Sequence, residues 1–116
     1  MSVYESIYIL RPGLGDEEVA ATKDKIENII NENGGKILDN EEWGKRKLAY
    51  EVSKERYGFF TLIHFESEAK LIAELERNYK LLGDVMKYII IRFNKKELAK
   101  WEADKKEKRV EEKVNK

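Results

Sequence analysis

The sequence has no cysteine, one proline and one histidine. Without cysteine there is neither a disulfide framework nor a thiolate metal site, and a reducing compartment suits the chain. With a single histidine and no serine flanked by glycines, no pairing of nucleophile and base can be assembled. Enzyme chemistry is therefore not expected, and neither is a cofactor or a metal. No apolar run approaches the roughly 18 residues of a membrane span, and the chain does not open with a basic segment followed by an apolar one. A soluble, unprocessed, cytoplasmic protein is expected. An excess of charge of one sign is missing too: 23 Lys plus Arg face 23 Asp plus Glu. Any surface for nucleic acid must then be local, because the net charge attracts no polyanion.

Charge is nevertheless abundant, at 40% of 116 residues, and unevenly spread. Residues 1–93 hold 14 Lys plus Arg against 17 Asp plus Glu, and residues 94–116 hold 9 against 6. The expected organisation is one domain over 1–93 followed by a charged tail over 94–116, partly helical or disordered.

Residues 3–10 are β-branched and aromatic and stop at Arg11-Pro12-Gly13, which predicts a first strand. From Asp16, three acidic residues precede Val19, Ile26, Ile29 and Ile30 at helical spacing, and Asn33-Gly34-Gly35 supplies a C-cap. A helix is expected over about 16–33. Residues 36–52 predict one long second strand kinked at Gly44, and Lys54-Glu55-Arg56 a polar turn. A third strand over 57–66 completes a hairpin. Ser67 is expected to cap the next helix, whose buried stripe is Leu71, Ile72, Leu75, Tyr79 and Leu82. A fourth strand occupies 85–93. This order is the α+β, ferredoxin-like βαββαβ arrangement, with two helices on one face of a four-stranded antiparallel sheet. In the tail, pairs such as Glu102 with Lys106 and Asp104 with Lys108 support a solvated helix.

The motifs that resemble catalytic signatures read as structural. His64 lies inside the third strand without a recognisable catalytic partner. Gly13-Leu14-Gly15 lacks the remaining residues of a dinucleotide or Walker loop and reads as a turn. Glu41-Glu42 reads as solvent-facing. The sheet itself is more informative. Strands three and four are apolar on both faces, and the helices can cover only one, so a second apolar face is left for a partner or for the tail through Leu98 and Trp101. Lys45-Arg46-Lys47, with Lys54 and Arg56 at the next turn, is the densest cationic group of the folded part. It suits either phosphate contacts or a charge-guarded sheet edge.

Tyr4-Glu5 with Ile9-Leu10-Arg11-Pro12, the run from Glu42 through Trp43-Gly44-Lys45-Arg46-Lys47-Leu48-Ala49 to Tyr50, and Glu74-Leu75-Glu76-Arg77 leading to Val85 and Arg92 resemble one known family. It is that of the sixth protein of the bacterial small ribosomal subunit, and the likeness covers about residues 3–93. The resemblance implies a ferredoxin-like fold, binding to the central domain of 16S ribosomal RNA, and pairing with the eighteenth small-subunit protein. It implies RNA contacts at Lys45, Arg46, Lys47, Lys54 and Arg92. Trp43, Leu48, Tyr50 and Tyr4 are the expected partner surface, and the isolated protein is expected to be a monomer. Some members of that family end in an acidic tail that accepts added glutamates, whereas this chain ends Glu-Glu-Lys-Val-Asn-Lys. Its basic tail points instead to loose contact with RNA. Two rival readings are an RRM-type module, to which Tyr57-Gly58-Phe59 partly corresponds, and a homodimeric α+β barrel closed sheet to sheet.

Overall fold

The structure is a computed structural model that describes the conformation of residues 1–114 and the side-chain surroundings of residues 1–105. The elements are β1 (Ser2–Leu10), α1 (Asp16–Glu32), β2 (Lys36–Val52), β3 (Glu55–Ser67), α2 (Lys70–Leu81), β4 (Val85–Arg92) and α3 (Lys95–Val114). All pairings are antiparallel and the strands lie in the order β2-β3-β1-β4. This is the ferredoxin-like fold expected from the element order.

α1 begins with Asp16, Glu17 and Glu18 against its positive end. It stops where Gly34 turns left-handed at φ 82° and the Gly35 N–H reaches back to the Ile30 carbonyl at 2.8 Å. A Cβ on Gly35 would lie 2.6 Å from Ile30 Cγ2 and 2.9 Å from Leu71 Cδ1. Glycine there lets the α1 exit pack directly against α2.

Two local expectations are corrected. The hairpin turn is Ser53-Lys54, both with positive φ (49° and 67°), so β3 starts at Glu55 instead of Tyr57. A two-residue turn with two left-handed residues matches the twist of the strands it joins, although neither residue is the usual glycine or asparagine. Ser67 does not cap α2. It ends β3, fully buried, with its hydroxyl donating to the Glu68 carbonyl, and Ala69 stands at the cap without a side-chain bond. Leu82 lies just past the end of α2 and still packs against the core.

Tyr4, Tyr8 and Leu10 of β1 and Ile63 and Phe65 of β3 meet Ile26 and Ile30 of α1 and Leu71, Leu75 and Tyr79 of α2. Removing each such side chain from water stabilises the fold by about 1.5–3 kcal/mol, so this face is decisively the helix-covered one. Ser6 and Tyr79 join their hydroxyls across the core at 2.7 Å, whereas the buried Tyr8 hydroxyl, beside Thr61, makes no well-formed hydrogen bond among the described residues. Burial pushes both phenols, Tyr8 and Tyr79, well above their ordinary ionisation range. At the sheet margins, β4 is the outer strand on one side, with Ile89 and Ile91 exposed, and β2 is the outer strand on the other.

Candidate RNA and protein interface

Alternation puts Val3, Glu5, Ile7 and Ile9 of β1 on the face away from α1 and α2, opposite Glu66, His64, Leu62 and Phe60 of β3. Ile89 and Ile91 of β4 join the same face. One end of it is crossed by α3. Trp101 sits 5.0 Å from the His64 ring, and Lys105 Nζ is 3.3 Å from the Leu38 carbonyl. The helix-supporting pairs expected of Glu102 with Lys106 and Asp104 with Lys108 lie outside the described side chains, as do Asn115 and Lys116.

The other end stays open as a groove of about 200 Å³, floored by Ile7, Ile9 and Phe60 and bordered by Trp43, Leu48, Tyr50 and Ile89. β2 shapes this groove through its irregularities. Its register against β3 shifts between Glu42 and Gly44, where Gly44 has φ 76° and Trp43 is the extra residue. The bulge turns the indole onto the Phe60 ring, with centroids 6.3 Å apart and planes 17° from parallel. Of the other two shifts, one lies between Ile37 and Asp39 and one between Lys47 and Val52. At the latter, residues 48–51 leave the ladder and lean over the sheet. Leu48 comes down above Gly58, where a Cβ would be 2.4 Å from Ile9 Cγ2. Tyr50 reaches Lys87 on β4, with the ammonium 4.6 Å above its ring. The hairpin therefore bends over the open face and forms a wall of the groove.

The cations on this hairpin do not form one patch. Lys45 pairs with Phe59 and Lys47 with Tyr57, on the helix side, while Arg46 pairs with Gly58 on the groove side. Lys45 stands 5.3 Å over the exposed Tyr57 ring, and Arg46 lies 5.1 Å over Trp43 and donates Nε–H to the Trp43 carbonyl. Lys45, Arg46, Lys47 and Lys54 are all exposed. Among the described residues the ion pairs are made by Arg11, Lys23, His64, Lys70 and Lys105, and none neutralises these four or Arg92. A larger cleft of about 430 Å³ between α1 and the β2–β3 edge is lined by Asp16, Asp24, Glu27 and Glu42 against Lys23 alone. Such a lining repels phosphate, which leaves the hairpin tip as the cationic ground.

The structure brings Trp43, Leu48 and Tyr50 together on the groove. It does not place Tyr4 there. Tyr4 is 5% exposed, stacked on Phe65 at 5.5 Å under the helices, and its place among the partner residues is corrected to the core. Arg92 pairs with Tyr4 at the far end of the outer strand on the opposite side, roughly 25 Å from Lys45 by strand spacing and rise. It does not belong to the hairpin group. Sequence reasoning did not single out Ile7, Ile9 and Lys87. Strict alternation from His64 would have found them once its face was known.

The sequence model of the family described as Ribosomal protein S6 matches residues 3–92. A small ribosomal subunit protein bS6 of Thermoanaerobacter pseudethanolicus is 47% identical over 92 residues, covering 79% of this chain and 97% of its own. That of Campylobacter hominis is 41% identical over 103 residues, covering 88% of this chain and 71% of its own. The crystal structure of 30S ribosomal protein S6 from Thermotoga maritima superimposes with a TM-score of 0.77 at 30% identity, covering 95% of this chain and 97% of that one. With its fold, its matched span and these relatives in agreement, the chain belongs to the ribosomal protein S6 family.

Proposed function

We propose that the protein is a structural, non-enzymatic component of the bacterial small ribosomal subunit, and that it binds the central domain of 16S ribosomal RNA together with the eighteenth small-subunit protein. The observation that carries this reading is the pairing of an uncovered apolar groove with unneutralised cations on a single bent hairpin. The groove takes the protein partner. Trp43, Leu48 and Tyr50 offer an aromatic and aliphatic border of the kind that anchors interfaces. The register shifts of β2 interrupt its outer edge, so side chains in the groove supply more of the affinity than added-strand hydrogen bonds do.

Lys45, Lys47 and Lys54 take phosphates, which gives salt-sensitive binding with little dependence on base sequence. Arg46, already stacked on Trp43, couples the two surfaces, because a partner seated on the indole also fixes the guanidinium. Base stacking of the RRM type does not fit: Tyr57 and Phe59 lie on the face of the sheet that α1 and α2 cover, and Phe59 packs partly into the core. The free protein is expected to sediment as a monomer. Tagged protein expressed in bacteria should be recovered in small subunits at about one copy per particle. Recovery only as free protein or as a tight homodimer would overturn the reading.

A further inference from the structure

The open face is divided in two, and the division depends on one ring. His64 is 6% exposed. Its Nδ1 lies 2.6 Å from Asp39 Oδ1 and its Nε2 lies 3.1 Å from Glu5 Oε1. A neutral imidazole has one N–H, so it can donate to one of these carboxylates and must turn a lone pair toward the other. Both contacts attract when the ring carries both protons. The surrounding charges fit that state. Lys105 Nζ is 3.7 Å from Asp39 Oδ2, so two carboxylates meet two cations when the ring is charged and only one when it is neutral. The charged groups packed about the ring are thus Glu5 from β1, Asp39 from β2 and, through Asp39, Lys105 from α3. The segment after β4 contributes only the uncharged ring of Phe93, 5.6 Å away.

Trp101 of α3 covers the ring at 5.0 Å, and an aromatic face beside a desolvated cation is held more firmly than beside a neutral ring. Among the described residues α3 has few other contacts, the main one being Trp101 against the Phe93 ring at 6.3 Å. Of its described side chains only Leu98, Trp101 and Lys105 are not exposed, and they form one narrow stripe. Lys105 joins the same cluster through Asp39 and the Leu38 carbonyl. The described contacts of the helix therefore converge on the place where the proton sits.

We propose that His64 is a proton-dependent clasp that holds α3 against the sheet, making the helix a removable cover over one half of the open face. Loss of one ring proton leaves a lone pair against a carboxylate and an uncompensated negative charge beneath Trp101. The helix then lifts, and the uncovered strip beside Val3, Glu5 and Phe93 becomes continuous with the groove.

The single histidine makes the test direct. In the full-length protein, the ring ¹⁵N signals report the protons on each nitrogen, while the Trp101 indole signal and α3 amide exchange report docking. With Trp101 docked, both ring nitrogens are expected to carry hydrogen. As pH rises, loss of the ring proton, movement of the Trp101 signal and an at least tenfold fall in α3 protection factors, corrected for the intrinsic rise of amide exchange with pH, should share one midpoint, with core protection factors unchanged. A ring with a single proton beneath a docked Trp101 overturns the proposal, and so does a Trp101 signal that stays still while the ring titrates. His64→Gln should leave α3 exchange fast and without that midpoint, whereas parent-like, pH-dependent protection in this variant would count against the clasp. If that variant does not fold, the titration of the parent protein decides alone.

Discussion

Replacing Lys45 and Lys47 together by alanine tests how the hairpin meets RNA. Strand alternation puts these two ammonium groups on one side and the Arg46 guanidinium on the other, so a single phosphate backbone running past the hairpin meets the two lysines and not the arginine. Each neutralised phosphate adds about 0.9 to the logarithmic salt slope on a duplex, so losing two contacts lowers it by roughly 1.8. Across a fourfold rise in salt, the parent should lose about twelve times more affinity than the double variant. Neither side chain is buried or ion-paired among the described residues, so stability should stay within about 0.5 kcal/mol. The assay is filter binding or anisotropy with a central-domain fragment at several salt concentrations, beside a thermal melt. An unchanged salt slope would refute the reasoning. So would an Arg46→Ala variant whose slope falls as far as that of the double variant, because the two faces would then be equivalent.

Trp43→Ala removes the indole that stacks on Phe60 at the groove border, and should weaken pairing with the partner protein by roughly thirtyfold or more while costing little in melting temperature. Calorimetry and a melt together check this, and a collapse in melting temperature would place the residue in the core. Tyr79→Phe should cost about 1–3 kcal/mol, because it strands the fully buried Ser6 hydroxyl. Tyr8→Phe should cost less than about 1 kcal/mol in the same denaturant titration, since its hydroxyl, beside Thr61, makes no well-formed hydrogen bond among the described residues. The folded state holds the protons of both phenols more tightly than the unfolded chain does. Stability should therefore hold below about pH 10 and then fall by up to about 1.4 kcal/mol per pH unit for each phenol. Denaturant midpoints measured from pH 8 to pH 12 check it, and a flat profile above pH 10 would contradict the burial of these groups.

The order of elements was legible because each segment keeps a single period, two in the strands and near 3.6 in the helices. What escaped depends on contacts between distant parts of the chain. Tyr4 and Ser6 alternate with Val3 and Ile7, and a serine makes its set look outward. Ser6 is nonetheless inside, because Tyr79, 73 residues away, satisfies its hydroxyl. Tyr4 goes in with it. The turn at Ser53-Lys54 escaped because nothing in the types of those residues announces positive φ. Ser67 suits a cap or a buried strand end equally well, and the extra length of β3 decides between them. Trp43, Leu48 and Tyr50 could be grouped from sequence, but not the bend that carries Tyr50 over to Lys87 on the opposite outer strand. The division of Lys45 and Lys47 from Arg46 follows from alternation alone and was open to reading throughout.

The two margins of the sheet differ in a way that reaches beyond the single molecule. β2 is broken by register shifts and studded with Glu41, Glu42, Lys45, Arg46 and Lys47, whereas β4 offers eight residues with Lys87 and Arg92 as their only charges and bare isoleucines at 89 and 91. Another molecule meets an obstacle along the first and a template along the second. A margin so lightly charged leaves its defence against unwanted pairing to its eight-residue length and to the two cations, Lys87 and Arg92, that it carries.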